Sequence, residues 1–152
     1  MEGKQRAWSV KIWDLPSGKL SHELVKKEFH SLAFNKKGTR LFAANVYVKP
    51  VFCYDFPSGK EIGRFDQHES NVNWVALSPD GTLTASLDKD GTVRLWDPDT
   101  LKEKQVLRLN PPHAGAGIGG PTVAKFTPDG RHLIVQNPDG TIYVVRLPDS
   151  PK

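Results

Sequence analysis

One short segment occurs three times in this chain and limits its fold more than any other feature. Val10-Lys11-Ile12-Trp13-Asp14, Val51-Phe52-Cys53-Tyr54-Asp55 and Val93-Arg94-Leu95-Trp96-Asp97 each alternate apolar side chains and close on an aromatic residue followed by Asp. Trp13, Tyr54 and Trp96 stand 41 and 42 residues apart. Self-similarity at a fixed period of this size implies a repeat architecture, in which one supersecondary unit recurs and stacks on its neighbours. Each copy leads into a turn of one kind, Leu15-Pro16-Ser17-Gly18-Lys19, Phe56-Pro57-Ser58-Gly59-Lys60 and Pro98-Asp99-Thr100-Leu101-Lys102. A fourth, degenerate copy is Thr141-Ile142-Tyr143-Val144-Val145-Arg146, with Val-Arg in place of aromatic-Asp.

A second marker keeps phase with the first. Asn35-Lys36-Lys37-Gly38, Ser78-Pro79-Asp80-Gly81 and Thr127-Pro128-Asp129-Gly130 are Gly-ended tight turns after apolar runs. Asp90-Gly91 and Asp139-Gly140 add the turn that joins adjacent antiparallel strands. Between these turns each unit holds four short stretches of alternating or continuous apolar character, and no stretch carries a helical apolar period. Strands are expected at 8–14, 18–24, 29–34, 39–45, 50–55, 60–65, 72–77, 82–87, 92–97, 103–108, 121–126, 131–136 and 141–147. The expected fold is all-β: antiparallel four-stranded sheets at this period match the blades of a β-propeller, about three of them, in one domain over 1–152 with blade pieces 1–25, 26–66, 67–109 and 110–152.

The resemblance these residues carry is to the WD-repeat family, and it covers nearly the whole chain. In that family a loop His, a strand Ser or Thr, a turn Asp and the third-strand Trp form a hydrogen-bonded set that rigidifies a blade. The resemblance places that set at His68, Ser86, Asp90 and Trp96. A carboxylate can orient the imidazole, the imidazole can reach a hydroxyl, and the hydroxyl can accept from the indole N–H, so every buried polar atom gains a partner. His68, Ser86 and Asp90 are therefore read as structural and not as a hydrolase triad, because a serine inside a strand lacks the sharp turn that exposes a nucleophile. The second unit has Tyr54 for Trp and no loop His. The last keeps Asp139 and His113 but has Val135 and Val145 at the Ser and Trp positions.

Composition bounds the remaining readings. The apolar share of 38% supports an ordinary core, and the net charge of +4 comes from mixed, scattered charges. The basic clusters Lys26-Lys27 and Lys36-Lys37 are only pairs beside turns, so no nucleic-acid partner is expected. The single cysteine, Cys53, excludes an internal disulfide and is expected to pack as a small apolar residue. No run approaches the ~18 apolar residues of a membrane span, and the N-terminus lacks a secretion signal, so no membrane partner and a cytoplasmic location are expected.

Three motifs invite chemistry and fail on context. Gly115-Ala116-Gly117-Ile118-Gly119-Gly120 matches the dinucleotide pattern, yet it follows Asn110-Pro111-Pro112-His113 and runs into an expected strand, with no helix to hold a pyrophosphate. His22, His30, His68, His113 and His132 never fall at metal-ligand spacing, so no metal and no cofactor are expected. Asp88-Lys89-Asp90-Gly91 lacks the later glutamate of a calcium loop.

The functional expectation is a non-catalytic protein-protein interaction scaffold, not an enzyme, with other proteins as partners. The alternative is a ligand-binding or enzymatic propeller with a site in the central channel. By analogy with the family, partner-binding rim positions fall at Glu28, His30, Asn71, Asn73, Lys89, Thr122 and Pro138. The chain begins and ends on third-type strands, which implies a partial propeller: part of a longer, bacterial-type multi-repeat protein, a homodimer sharing one ring, a small four-bladed closure, or a decayed reading frame with no independent role.

Overall fold

A computed structural model of the chain describes residues 9–24, 28–109 and 123–148. Strands β1 (Val10–Asp14) and β2 (Lys19–Leu24) pair as the first sheet. The second sheet runs β3 (Ser31–Phe34), β4 (Arg40–Ala44), β5 (Val51–Asp55) and β6 (Glu61–Phe65). The third runs β7 (Val72–Leu77), β8 (Thr84–Asp88), β9 (Thr92–Trp96) and β10 (Glu103–Arg108), and the fourth β11 (Val123–Phe126), β12 (His132–Gln136) and β13 (Ile142–Arg146). Neighbours in sequence are neighbours in space and every pairing is antiparallel. No helix occurs among the described residues. The fold is all-β, with sheets of WD-propeller type. The strands expected from the sequence are present, with ends displaced by at most two residues among the described ones; expected positions 8, 121 and 122 lie outside them.

The recurring Asp has a local cause. Asp14, Asp55 and Asp97 each accept, on the backbone oxygen, the N–H four residues on, from Gly18 at 2.8 Å, Gly59 at 2.9 Å and Leu101 at 2.9 Å. Their carboxylates cap the same turns: Asp14 and Asp55 accept the Ser17 and Ser58 hydroxyls, and Asp97 accepts the N–H groups of Asp99 and Thr100, both at 2.9 Å. The residue that closes each turn is left-handed, with φ of 65° at Gly18, 70° at Gly59 and 58° at Leu101. Glycine takes that conformation freely, whereas Leu101 is held there at a cost of roughly 1–2 kcal/mol. Its side chain offsets the strain by packing against the core between the second and third sheets.

Among the described residues that core is one of three, and each lies between consecutive sheets. Val10 and Ile12 of the first sheet pack on Leu41, Ala43 and Tyr54 of the second. Phe42, Val51, Cys53 and Phe65 of the second join Val72, Val75 and Trp96 of the third. Ala85, Leu87, Val93 and Leu95 of the third join Ala124, Leu133, Val135 and Val145 of the fourth. The inner strands are also cross-linked: the Ser31 hydroxyl donates to the Val75 carbonyl and accepts its N–H, and Trp74 Nε1–H donates to the Ala124 carbonyl at 2.8 Å. Sheets thus stack through alternating apolar faces, with polar stitching along the inner edge.

Cys53 sits in the middle core, and burial pushes its thiol up from the ordinary value, a shift the nearby Arg40 only partly offsets. A protonated, enclosed thiol is a poor nucleophile. Cys53 should therefore resist an exposed-thiol reagent in the native chain and react at the rate at which the second and third sheets separate. Labelling kinetics followed across a urea series check this, and the labelling midpoint should coincide with the circular-dichroism midpoint.

Candidate functional site

The third sheet carries a buried polar chain at its junction with the second. Among these side chains the ionised carboxylate can only accept and the indole can only donate, which fixes the direction of each bond. Trp96 Nε1–H donates to Ser86 Oγ at 3.0 Å, Ser86 Oγ–H donates to His68 Nε2 at 2.6 Å, and His68 Nδ1–H donates to Asp88 Oδ2 at 3.0 Å. All four side chains are buried. Trp96 lies flat against Phe65, with ring centroids 5.0 Å apart and planes at 9°, and edge-on to Phe42 at 5.1 Å. Phe65 also meets the His68 ring edge-on at 5.9 Å.

The carboxylate of this set is Asp88 and not Asp90, which corrects the assignment made from the family pattern. Side chains along a strand alternate between faces, so Ser86 and Asp88, two apart in β8, both point at His68. Asp90 lies past the strand end and is exposed in the β8–β9 turn. Its backbone N–H donates to Asp88 Oδ1 at 3.1 Å, and that of Thr92 does so at 2.9 Å. Burial alone raises the Asp88 carboxyl, but the bonds from His68, Thr92 and Asp90 outweigh it and hold the group below its ordinary 3.8. The arrangement offers no nucleophile to a substrate, because the Ser86 oxygen is enclosed and already accepts from the indole.

The position Asp88 occupies recurs. Strand register places Asn45 and Asn137 at the same point of the second and fourth sheets, where Ala43 and Val135 stand in place of Ser86. Asn45 keeps the turn-capping half of the role: its Oδ1 accepts the Tyr47 N–H at 2.8 Å, and its Nδ2–H donates to the Glu28 carbonyl at 2.6 Å. Asn137 is buried, and its amide has no hydrogen-bond partner among the described residues. His113 and the Gly115–Gly120 stretch lie outside the described residues.

Beyond the Asp88 end of the buried polar chain, the second and third sheets present a shared rim. Lys89 in the β8–β9 turn donates its N–H to the Asn71 carbonyl at 2.9 Å and sets its ammonium 5.9 Å from the Tyr47 ring centre. His30 meets the other side of the cluster, edge-on to Tyr47 at 5.7 Å, with its Nε2 3.4 Å from Glu28 Oε1. Of the rim positions expected from the sequence, His30 and Lys89 thus meet the Tyr47 ring, Glu28 adjoins His30, and Asn71 is tied to Lys89 through its backbone carbonyl. Asn73 is half-buried at the β7 bulge, Pro138 is exposed in the β12–β13 turn, and Thr122 lies outside the described residues. Tyr47, 65% exposed at the centre, was not among them. Counting seven residues back from the third-strand position reaches Lys89 from Trp96, Pro138 from Val145 and Tyr47 from Tyr54. The same rule would have found it, but the turn there lacks the Asp-Gly that flagged the others.

At the opposite end, a groove of about 380 Å³ runs beside Leu83, Leu95, Pro98 and Pro148. Two of its charged groups engage each other, Asp97 lying 3.3 Å from Lys104, which also donates to the Thr82 carbonyl at 3.1 Å, and Asp99 lies 3.7 Å from Arg40. Among the described residues no group of His, Cys, Asp or Glu could hold a metal ion.

Comparison with known proteins agrees with this architecture. Residues 59–97 match the family described as "WD domain, G-beta repeat", the stretch that holds β7 to β9 and the buried set. Residues 59–97 thus read as a WD-type repeat, and the described sheets are of the WD-blade type. It is 30% identical to coronin-7 of Rattus norvegicus over 98 residues, 59% of this chain and 11% of that protein. It is 30% identical to a guanine nucleotide-binding protein subunit beta of Solanum tuberosum over 142 residues, 88% of this chain and 37% of that protein. A 46-residue stretch is 44% identical to the serine-threonine kinase receptor-associated protein of Bos taurus. The chain therefore spans well under half the length of these relatives.

Removing the hydroxyl in Ser86→Ala leaves a buried indole N–H and a buried imidazole nitrogen unpaired, which should lower stability by about 2–4 kcal/mol. Asp88→Ala should cost a similar amount, whereas Asp90→Ala should stay within about 0.5 kcal/mol; urea denaturation of the three variants measures the contrast. Because the Asp88 carboxyl is lowered by folding, its contribution is complete above the ordinary carboxylate value and is lost as pH falls through the lowered one. Stability should therefore decline on acidification below about pH 4. In Asp88→Asn part of that decline should disappear, while Asp80, Asp97 and Asp129, also lowered, retain the remainder.

Proposed function

We propose that this chain is a non-catalytic protein-interaction scaffold whose partner-binding surface is the rim centred on Tyr47. The observation that carries the reading is an exposed aromatic ring flanked by a cation and an imidazole, Lys89 and His30, with the Tyr47 and Lys89 turns capped by the side chains of Asn45 and Asp88. Tyrosines held rigidly at the centre of a polar rim are the residues that most often dominate binding energy between proteins. WD-repeat proteins typically serve as such scaffolds, and two of the similar proteins carry names that describe association: one is a subunit of a guanine nucleotide-binding protein, the other is receptor-associated. On the same reading the sheets are part of a larger propeller, which the greater length of those relatives supports. The enclosed Ser86 and the mutually paired Asp97 and Lys104 favour binding over catalysis.

The test compares cross-linked partners of the wild-type chain with those of Tyr47→Ala, Lys89→Glu and, as a control in the far groove, Lys104→Ala. Partner recovery should fall at least tenfold in the two rim variants and stay unchanged in the control. Recovery lost only in Lys104→Ala would assign binding to the opposite end and contradict the proposal.

A further inference from the structure

Four Asp-Gly steps occur in the sequence, Asp80-Gly81, Asp90-Gly91, Asp129-Gly130 and Asp139-Gly140, and the second is held differently from the rest. Their backbones are alike: the four glycines are left-handed, with φ of 78°, 81°, 70° and 86°, and the four aspartates are exposed. In three steps the carboxylate accepts the backbone N–H two residues on, Asp80 from Thr82 at 3.0 Å, Asp129 from Arg131 at 3.0 Å and Asp139 from Thr141 at 2.8 Å. The equivalent donor in the β8–β9 turn is the Thr92 N–H, and it goes to Asp88 at 2.9 Å. Asp88 is fixed there by His68, so the buried polar chain takes the donor that elsewhere caps the Asp of the step. Among the described residues no hydrogen bond or ion pair engages the Asp90 carboxylate. The glycine nitrogens differ in the same sense. Each donates to the carbonyl three residues back, Gly81 at 2.9 Å, Gly130 at 2.8 Å and Gly140 at 3.1 Å, but Gly91 at 3.3 Å, the longest of the four.

An aspartate followed by glycine brings a main-chain nitrogen within reach of the side-chain carboxyl carbon, because glycine has no Cβ to obstruct the approach. The attack needs a carboxyl released from its donors and a nitrogen released from its acceptor, and Asp90-Gly91 comes nearest to both. We propose that Asp90-Gly91 is a site of spontaneous covalent modification, converting to isoaspartate through a cyclic imide ahead of the other three steps. The Gly91 nitrogen bonds to Cγ of the protonated Asp90 carboxyl, and its proton leaves with the carboxyl hydroxyl as water. Water then opens the imide. Breaking the new N–Cγ bond restores Asp90, whereas breaking the bond from that nitrogen to the Asp90 main-chain carbonyl carbon leaves isoaspartate. One water is lost and one regained, so no oxidant or other reactant enters. The product runs the main chain through Cγ, one carbon longer, and frees an α-carboxylate beside Lys89. That turn is closed by the Lys89 N–H on the Asn71 carbonyl and the Thr92 N–H on Asp88, and the added carbon lies between these two bonds. Isomerisation therefore loosens the Thr92 bond. The inference concerns the covalent chemistry of the turn and holds whether or not the rim binds a partner.

Ageing the full chain at neutral pH and physiological temperature, then mapping its peptides by electron-transfer fragmentation, tests it, because that fragmentation separates isoaspartate from aspartate of equal mass. One hydrogen bond that must break before attack slows a step about fivefold, so isoaspartate should accumulate at Asp90 at least about fivefold faster than at Asp80, Asp129 or Asp139. In urea-unfolded chain the four rates should converge, since the fold and not the dipeptide sets the order. In the aged, isoaspartate-bearing fraction the Thr92 amide should exchange with deuterium faster than in fresh protein. Equal rates at the four steps of the native chain, faster accumulation at another step, an order that persists in urea, or a Thr92 amide that exchanges no faster after ageing would each overturn the proposal.

Discussion

A sheet of two to four strands, each four to six residues long, has two faces and almost no interior, so none of the four described sheets can exclude water alone. The whole structure depends on a single kind of contact, the insertion of a third-strand side chain into the aliphatic face of the preceding sheet. Where that side chain is Trp96 the junction holds the largest fully buried residue of the described chain, between Phe42 and Phe65. Where it is Val145 the inserted side chain is smaller and joins an aliphatic cluster with Val93 and Leu95 of the preceding sheet.

An aromatic with a polar atom creates a debt that apolar packing cannot settle, since a buried indole N–H must find an acceptor. The chain Ser86, His68 and Asp88 supplies it and ends on a carboxylate stabilised by two backbone N–H groups. The consequence reaches the surface. Asp88 fixes the β8–β9 turn, that turn carries Lys89, and Lys89 faces Tyr47 across the rim. Asn45 does the same service for the turn bearing Tyr47, without a histidine beneath it. Local rigidity at the candidate interaction surface is thus a by-product of satisfying buried polar atoms one layer down.

Much of this was legible in the sequence because the repeat sets two periods at once. The alternation in Val93-Arg94-Leu95-Trp96 gave strand and facing, and the Gly-ended turns gave the strand boundaries. What the pattern did not resolve was depth. Asp88 and Asp90 both flank the same turn, and only the end of β8 decides which of them shares a face with Ser86. Tyr47 escaped for a related reason: its turn, 45–50, is longer than the 89–91 turn of Lys89 and carries no Asp-Gly, so the composition that marks the other turns is missing. Contacts across sheets, such as the stacking of Trp96 on Phe65, leave no trace in spacing at all.

The most direct test of this account is the exchange of the indole protons with solvent, followed by NMR. With Trp96 inserted and its N–H bonded to Ser86, that proton should exchange only on global unfolding, together with the amides of β9, while the exposed Trp13 indole exchanges at the rate of free tryptophan. An exchange rate for Trp96 as fast as that of Trp13 would mean that the junction is open, and would contradict the dependence of the fold on this stacked and hydrogen-bonded residue.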